Sequence, residues 1–307
     1  MTVAPDFILH HYDASPFSEK ARLMFGLKGL DWCSVRTPNM MPKPELTPLT
    51  GGYRRAPVMQ IGADIFCDSQ VILAEIERRS PAPTPSPAMD WAINLSADRL
   101  FFQASVAVIF GEIGEHVPAD FIADREKLSG RPFDIAAMKA AATPMRAQWR
   151  TQAAWIDRAL AGGSPFLSGE TPGIADIAAY MNIWFLTGAT PHLGGPLLSG
   201  LGHLDEWRSR VAAIGHGQRS EMTGYEALAV AAAAEPDDFI AHDDDDPLGL
   251  APRTAVIVTA DDYGRDPVDG YLVAANRERV VIARDDEELG RLNLHFPRAG
   301  YVVSAVD

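Results

Sequence analysis

A proline-rich segment divides this chain into parts with different patterns. Four of the seven residues 81–87 are proline, and proline lacks the backbone N–H that helices and strands use. Such a segment forms a stiff, extended connection between folded units. We therefore place a domain boundary here, and predict a first domain over residues 1–80 and a second domain over residues 88–222.

The first domain alternates between strand and helix patterns. Runs of apolar and β-branched side chains predict strands at residues 7–12, 31–36, 57–61 and 65–67. Helical spacing of apolar side chains predicts helices at residues 18–28 and 70–79. The resulting order is β-α-β followed by β-β-α, which is typical of the α/β class.

The remainder of the chain has two further patterns. Few strand signals occur in residues 88–222, and long segments of helical spacing predict an all-helical domain there, with helices at 89–110, 134–160, 174–186 and 204–214. Residues 223–307 begin with an alanine-rich helical segment and an acidic linker, and then change to short strand patterns separated by turn residues. We predict a small antiparallel β module at this end of the chain.

The charge balance excludes several kinds of partner. The chain carries 41 acidic and 27 basic residues, a formal net charge of −14, and we find no basic stripe that would hold a phosphate backbone or an anionic membrane. The longest purely apolar runs fall short of the roughly 20 residues that cross a bilayer, and the first residues lack the features of a signal peptide. We therefore expect a cytoplasmic protein that binds neither nucleic acid nor membranes.

Several metal-binding and catalytic signatures are missing from the sequence. It has no phosphate-binding P-loop motif, no paired-histidine zinc motif of the H-E-x-x-H type and no serine hydrolase elbow. Two cysteines, Cys33 and Cys67, are too few for a disulfide framework or a cysteine zinc site. Asp261, Asp262 and Asp266 do not follow the spacing of a calcium loop. We expect no bound metal.

Four short segments, taken together, resemble the motifs of one enzyme family. They are SPFSEKAR at 15–22, RAPVM at 55–59, DSQVI at 68–72 and GIADI at 173–177. In this order and spacing, on either side of the proline-rich segment, they resemble the motifs of cytosolic glutathione transferases of the serine and cysteine types. The resemblance covers about residues 6–220. It implies a thioredoxin-like N-terminal domain, an all-helical C-terminal domain and a homodimer, and it leaves the β module unaccounted for.

The resemblance implies that Ser15 is the catalytic residue and that glutathione is the co-substrate. A hydroxyl between a strand and the positive end of a helix can donate a hydrogen bond to the sulfur of glutathione and favour its thiolate. Because position 15 is serine and not cysteine, chemistry through a mixed disulfide is disfavoured. Two alternatives stay open: Ser15 only caps the helix, or Tyr12, at the end of the first strand, is the thiolate-stabilising group.

The same resemblance implies which residues bind the tripeptide. Pro57 would follow a cis peptide bond, and Ala56 would pair with the cysteinyl backbone as an added strand does. Ser69 would hold the γ-glutamyl carboxylate at a helix N-terminus, and Asp68 its ammonium group. The alternatives are a trans proline that opens an edge strand and a plain helix cap.

A cation is needed for the glycyl carboxylate of glutathione, because the protein itself is acidic. Arg54 and Arg55 are the candidates, ranked above Lys43. The segment 50–55 is longer and more basic than the family pattern. It could therefore bind a different anion, or Tyr53 could stack on a substrate.

The hypothesis from sequence is a glutathione transferase-like enzyme. Its bound thiolate would attack a small hydrophobic electrophile in a pocket between the two family domains. The apolar candidates for that pocket are Phe101, Phe102, Val106, Phe110 and Trp184. The alternatives are a non-catalytic binding protein on the same fold and a glutathione-dependent isomerase or dehalogenase. In the β module, His295 and Arg298 could form an anion-binding pair, and the competing interpretation is a surface turn beside a core strand.

Overall fold

The computed structural model describes residues 7–81, 86–237 and 240–306. Residues 1–6, residues 82–85 of the proline-rich connection and residues 238 and 239 of the acidic linker lie outside the described residues, so the signal-peptide and linker predictions fall partly there. The helices are Pro16–Lys28 (α1), Thr47–Thr50 (α2), Ser69–Arg79 (α3), Asp90–Ser96 (α4), Phe102–Ile113 (α5), Ala119–Ser129 (α6), Ile135–Leu160 (α7), Ile174–Ala189 (α8), Pro191–Leu198 (α9), Gly202–Ala212 (α10) and Gly224–Ala232 (α11). The strands are Ile8–His11 (β1), Asp31–Arg36 (β2), Val58–Ile61 (β3), Asp64–Cys67 (β4), Gln218–Glu221 (β5), Ala255–Ala260 (β6), Val268–Ala275 (β7), Arg279–Asp286 (β8), Gly290–Pro297 (β9) and Tyr301–Ala305 (β10). A π-helical segment, Ala97–Phe101, joins α4 to α5.

The first domain has the thioredoxin-like fold that the resemblance implied. Its strands lie in the order β4-β3-β1-β2, with β1 and β2 parallel and β3 antiparallel to both of its neighbours. Helix α1 begins where the Ser15 side chain accepts a hydrogen bond from the Ser18 amide (3.1 Å), and it ends at Gly29, whose φ of 64° suits glycine. Helix α3 begins at Asp68 in the same way, with the Gln70 amide as donor. The predicted order of strands and helices is confirmed.

The second domain is helical up to Ala212, and it includes two helices, α6 and α9, that the sequence pattern did not predict. Its core forms where α5 packs against α7 and α8. At this contact the indole of Trp149 donates to the Ser105 hydroxyl (3.1 Å). That hydroxyl lies 3.0 Å from the side-chain oxygen of Asn182. The Asn182 amide nitrogen donates to the carbonyl of Ala97 (3.0 Å). These buried polar groups anchor the start of the π-helical segment.

One stretch of this domain, Asp90–His116, is long and apolar enough to cross a membrane by length and composition alone. In the structure it comprises α4, the π-helical segment, α5 and a short 3-10 turn. Its buried positions pack against α7 and α8. About 39% of its most apolar window is buried, so packing within the helical domain accounts for part of the apolar composition of this stretch.

The β module is confirmed, and it is continuous with the first domain. Its strands pair in the order β10-β6-β7-β8-β9, each antiparallel to the next. Strand β9 also pairs in parallel with β4, with Asp64 opposite Asn293 and Phe66 opposite His295. The module thus extends the thioredoxin-like sheet to ten strands, in the order β10-β6-β7-β8-β9-β4-β3-β1-β2-β5.

The other edge of the sheet is completed by β5. This strand pairs in parallel with β2, with Asp31 opposite Gln218, although its sequence lies at the end of the region predicted to be helical. The helix that follows, α11, packs on the sheet, where the Gln60 side chain donates to the carbonyl of Ala227 (2.9 Å). Pairing between strands so far apart in the chain leaves no local pattern, so the sequence did not indicate either junction.

Two neighbouring histidines of β1 are buried and neutral. The ring of His10 lies 3.0 Å from the Gln60 side chain, and that of His11 lies 3.0 Å from the Ser34 hydroxyl. Burial lowers the pKa of His10 from 6.5 to about 4. Burial, together with the positive charge of Arg22 and other arginines, lowers the pKa of His11 to about 3.

We expect acid to destabilise the protein through these rings. The unfolded chain takes up a proton at each histidine near pH 6.5, whereas the folded chain does so only near pH 4 or 3. Stability is therefore full above pH 6.5 and falls as the pH drops, by about 2 kcal/mol for His10 alone between pH 7.5 and 5. Urea unfolding at the two pH values should show that His10→Phe removes this part of the pH dependence, and that His203→Gln, at an exposed position, does not. Identical profiles for the three proteins would contradict the assignment.

Candidate functional site

One cavity lies where the first domain, the helical domain and the β module meet. Its wall includes residues of α1, of the loop before β3, of the start of α3, of α4 and of the π-helical segment. The sequence hypothesis assigned five of these residues to binding, namely Arg55, Ala56, Pro57, Asp68 and Ser69. The structure therefore brings most of the predicted binding residues together.

Two turns of the first domain bring their backbone to the cavity. Before β3, Ala56 and Pro57 line it, and the peptide bond between them is cis, as the resemblance implied. Before α3, Asp68 has a φ of 97°. A residue with a side chain adopts this conformation at a cost of about 1–3 kcal/mol, and such residues cluster at ligand sites. Its Oδ1 accepts a hydrogen bond from the Gln70 amide (2.9 Å) and so caps α3.

Ser69, the first residue of α3, lies against a fully buried lysine. The ammonium of Lys20 donates to the Ser69 hydroxyl (3.2 Å). It also donates to the amide oxygen of Asn94 (2.6 Å) and to the carboxylate of Asp98 (2.7 Å). Burial raises the pKa of Asp98 against the opposing charge of Lys20. The Ser69 oxygen accepts the hydrogen bond from Lys20, so the hydrogen of the Ser69 hydroxyl is free to be donated to a ligand.

Sequence reasoning missed Lys20 and Asp98. Lys20 precedes Met24 by four residues and Leu27 by seven, so it lies on the apolar face of α1, and this spacing is the signal that it is buried. Asp98 belongs to the π-helical segment. Such segments are frequent at functional sites, but nothing local in the sequence indicates one here.

The two adjacent arginines serve different parts of the structure. Arg55 lines the cavity and donates to the Asp262 carboxylate (2.6 Å). Arg54 instead pairs with Asp124 of the helical domain, at 2.5 Å. Lys43 donates to the backbone carbonyl of Arg54 (2.8 Å). Of the three candidate cations, Arg55 is the one at the cavity.

Ser15 caps α1 and does not line the cavity. It is 1% exposed, and its oxygen accepts a hydrogen bond from the Ser18 amide, which leaves its own hydrogen free to donate. The turn before it is held by the buried Arg22, which donates to the carbonyl of Asp13 (3.0 Å). The alternative candidate, Tyr12, is half-buried and likewise lies outside the cavity wall.

The β module supplies the remaining wall, through Asp262, Tyr263 and Tyr301. The Tyr301 hydroxyl donates to Oδ2 of Asp68 (3.0 Å) and lies 3.2 Å from the Tyr53 hydroxyl. Burial, together with the negative charge of Asp68, raises the pKa of both phenols well above its ordinary value, so both are neutral. The free space between these groups is about 50 Å³. That is room for a few water molecules and far below the roughly 300–1,000 Å³ of ligand pockets.

The apolar residues predicted for an electrophile pocket lie away from this cavity. Within the described part of the chain, none of these residues lines it: Phe101, Phe102, Val106, Phe110 and Trp184. Phe101 is buried against Trp149, with ring centres 5.5 Å apart, and belongs to the core of the helical domain. The apolar wall is formed instead by Phe17 and Leu95.

The other candidate groups of the β module are used within the fold. His295 is buried, and its ring lies 2.7 Å from the Asp64 carboxylate. Arg298 donates to Asp246 (3.2 Å). Both side chains therefore have carboxylate partners inside the chain, and His295 lies in the strand β9, with Arg298 in the turn that follows it. Over residues 7–81, 86–237 and 240–306, no group of three or more His, Cys, Asp or Glu side chains could hold a metal ion.

Comparison with known proteins identifies the two larger parts of the chain. Residues 9–84 match the family described as glutathione S-transferase, N-terminal domain, and residues 124–210 match glutathione S-transferase, C-terminal domain. No curated protein sequence matches the chain. A GST-like protein from Pseudomonas syringae, of known crystal structure, is 32% identical over 98% of this chain and 100% of its own, with a TM-score of 0.81.

More distant solved structures share the fold alone. The tau class glutathione S-transferase MiGSTU from mango, Mangifera indica, is 18% identical over 68% of this chain and 89% of its own, with a TM-score of 0.53. The beta-etherase LigF from Sphingobium sp. strain SYK-6 is 13% identical over 68% of this chain and 95% of its own, with a TM-score of 0.52. From its two matched domains and its full-length similarity to the Pseudomonas syringae protein, the chain belongs to the glutathione S-transferase family.

Lys20→Met should lower the free energy of unfolding by about 3–5 kcal/mol, because it leaves the Asp98 carboxylate without its buried partner. The matched control is Lys139→Met, which removes an exposed ion pair with Glu115 and should leave the free energy of unfolding nearly unchanged. Unfolding in guanidinium chloride measures both losses. Equal losses in the two variants would show that Lys20 is not a buried partner.

Proposed function

We propose that the cavity is a glutathione site and that the protein joins glutathione, through its sulfur, to a small electrophile. The observation that carries this proposal is that Ala56, Pro57, Asp68 and Ser69 converge on one cavity in a chain of this family. The resemblance in sequence implies tripeptide binding by the same four residues. Their convergence supports a glutathione site here more than at any other surface of the first domain.

The γ-glutamyl end of glutathione matches the charges of this cavity. Its carboxylate would lie at the N-terminus of α3, where the Ser69 hydroxyl can donate and Lys20 adds a positive charge behind it. Its ammonium group would bind the Asp68 carboxylate, and Asp98 is the second acid of the wall. Both charges of the zwitterion thus have a partner.

The other end of the tripeptide would lie along the loop before β3. The backbone of Ala56 would pair with the cysteinyl residue as in an added strand. The Arg55 guanidinium lines the cavity, but it lies 3.9 Å from Oδ2 of Asp68, so it would bind the same γ-glutamyl end of the tripeptide, through its carboxylate. The proposal gives Arg54 no such role, because that side chain is paired with Asp124.

Ser15 lies outside the cavity wall, but Phe17, two residues further along, belongs to it. A bound tripeptide whose cysteinyl sulfur reaches the N-terminus of α1 would therefore meet the Ser15 hydroxyl, which would stabilise the thiolate. Its oxygen already accepts a hydrogen bond from the Ser18 amide, so its hydrogen can be donated to the sulfur. The N-terminus of α1 adds a partial positive charge at the same place. The sulfur then attacks the electrophile and forms a carbon–sulfur bond, while the leaving group departs with the electron pair of the broken bond. Phe17 and Leu95 would supply the apolar contacts for the electrophile.

Three further properties are proposed from the family alone. They are a cytoplasmic location, a homodimer, and a hydrophobic second substrate. Sedimentation of the purified protein and a panel of small electrophiles would check the last two.

A second function, that of a non-catalytic binding protein on the same fold, is favoured by one observation. Asp68 and Arg55 already have partners inside the chain, Tyr301 and Asp262. Charged groups that are satisfied internally do not need a ligand for their stability. Under this hypothesis the protein would not bind glutathione at millimolar concentration.

Titration calorimetry of glutathione into the purified protein separates the two functions. We expect binding at millimolar glutathione. Ser69→Ala should weaken it tenfold or more, since the variant loses a donor to a charged group. The matched control is Ser199→Ala, at an exposed position of the helical domain, which should bind as the wild type does. Absence of binding by the wild type would favour the non-catalytic function.

Ser15→Ala should lower kcat/KM for an aryl halide electrophile by about 10²–10³-fold, as the loss of one preorganised donor does. Its affinity for glutathione should change little, because the hydroxyl is expected to contact only the sulfur. Ser15→Thr keeps the hydroxyl and serves as the control. Full activity of Ser15→Ala would transfer the proposed role to Tyr12, with Tyr12→Phe as the next variant to measure.

A further inference from the structure

Two segments of the β module reach the cavity. One is the β6–β7 connection, residues 261–267, and the other is the β9–β10 turn, residues 298–300, with Tyr301 directly after it. The amide of Asp261 donates to the carbonyl of Gly300 (3.0 Å), which joins the two segments. We call these two segments, with Tyr301, the module tips.

The module tips make the hydrogen bonds with the cavity that the two charged groups of a zwitterionic ligand would make. Tyr301 donates a hydrogen bond to the Asp68 carboxylate (3.0 Å), as a ligand's ammonium group would. The Asp262 carboxylate accepts from Arg55 (2.6 Å), as a ligand's carboxylate would. The ring of Tyr263 lies against the same guanidinium, at 4.3 Å. Both charged groups of the site are thereby satisfied without a ligand.

We infer that Tyr301 and Asp262 close the site, so that a ligand enters only by displacing their side chains. The inference rests on the proposed glutathione function and names the part of the chain that controls it. The size of the cavity also supports the inference, because about 50 Å³ of it is free. Pockets for molecules of drug size measure at least roughly 300 Å³.

The module tips can open while the rest of the module stays in place. Strand β9 is fixed, since it is paired on both sides and Phe296 is fully buried. The tips are held by the partly exposed carboxylates of Asp262 and Asp261, 28% and 40% exposed, and by two aromatic rings, Tyr263 against Arg55 and Tyr301 against Phe296. One backbone hydrogen bond, from the Gly264 amide to the Leu128 carbonyl (2.7 Å), joins the first tip to the helical domain. Tyr301 is the first residue of β10 and pairs with Ala260 of β6, so it leaves Asp68 by rotation of its side chain and the sheet stays intact. At the other tip, opening breaks the ion pairs of Asp262 with Arg55 and of Asp261 with Arg99, together with the Gly264 hydrogen bond.

The sign of the change in glutathione affinity distinguishes residues that close the site from residues that contact the ligand. If the tips and the ligand compete for Asp68 and Arg55, removing a tip group raises the fraction of molecules with an open site, and the apparent affinity rises with it. If Tyr301 or Asp262 instead contacted the ligand, removing its polar group would lower the affinity. The two roles predict opposite signs.

Glutathione titrations of Tyr301→Phe, Asp262→Asn and the double variant test the inference. Each substitution removes one contact and nearly preserves the shape of the side chain. We expect each single variant to bind glutathione about tenfold tighter than the wild type, the effect of one hydrogen bond to a charged group. The double variant should bind tighter still. Tyr271→Phe and Asp285→Asn, at exposed positions of the same module, are the matched controls and should bind as the wild type does.

Two outcomes would count against the inference in different ways. Wild-type binding that the tip variants leave unchanged or weaken would overturn the inference and leave the glutathione function standing. No binding by any protein, including a double variant with a native circular dichroism spectrum, would overturn the glutathione function and the inference with it. One set of titrations therefore distinguishes the two failures.

Discussion

The parallel pairing of β4 with β9 is the contact on which the rest of the structure depends. Without β9, strand β4 would be an open edge with unpaired backbone groups. By covering that edge, β9 also brings the turn that follows it to the start of α3, where Tyr301 meets Asp68. A buried ion pair between Arg279 of β8 and Glu75 of α3, at 2.9 Å, joins the module to the same helix. Burial alone would raise the pKa of Glu75, but hydrogen bonds from three arginines lower it to about 2.

Local charge explains how an acidic protein could hold the anionic tripeptide that we propose as its ligand. The chain has a net charge of −14, yet Lys20 is buried behind Ser69 and Arg55 lines the cavity. Each of these cations has a carboxylate partner inside the chain, Asp98 or Asp262. A ligand therefore enters a site that is already balanced, and its affinity is the difference between its contacts and those it replaces. For this reason the module tips matter as much to the proposed function as the family residues do.

Local patterns predicted most of the fold, and they failed where the chain joins distant segments. The strands of the module and the helices α7 and α8 have clear periodicity, whereas the β4–β9 and β2–β5 pairings leave no mark in either strand alone. The candidate site was likewise predictable in part. Asp68 stands at a recognisable helix start, so its place was predictable. Arg54 and Arg55 look equivalent in the sequence, and only the distant partners Asp124 and Asp262 separate them.

Hydrogen–deuterium exchange of the full chain, with and without saturating glutathione, tests most directly the claim that ligand and module tips compete for one site. We predict faster exchange in residues 261–267 and in the turn 298–300 when glutathione is bound, because the tips are displaced. Residues 290–297 of β9 should not change, since that strand stays paired on both sides. Unchanged or slower exchange at the tips in the bound protein would contradict the account, because it would mean that the tips stay closed over the ligand.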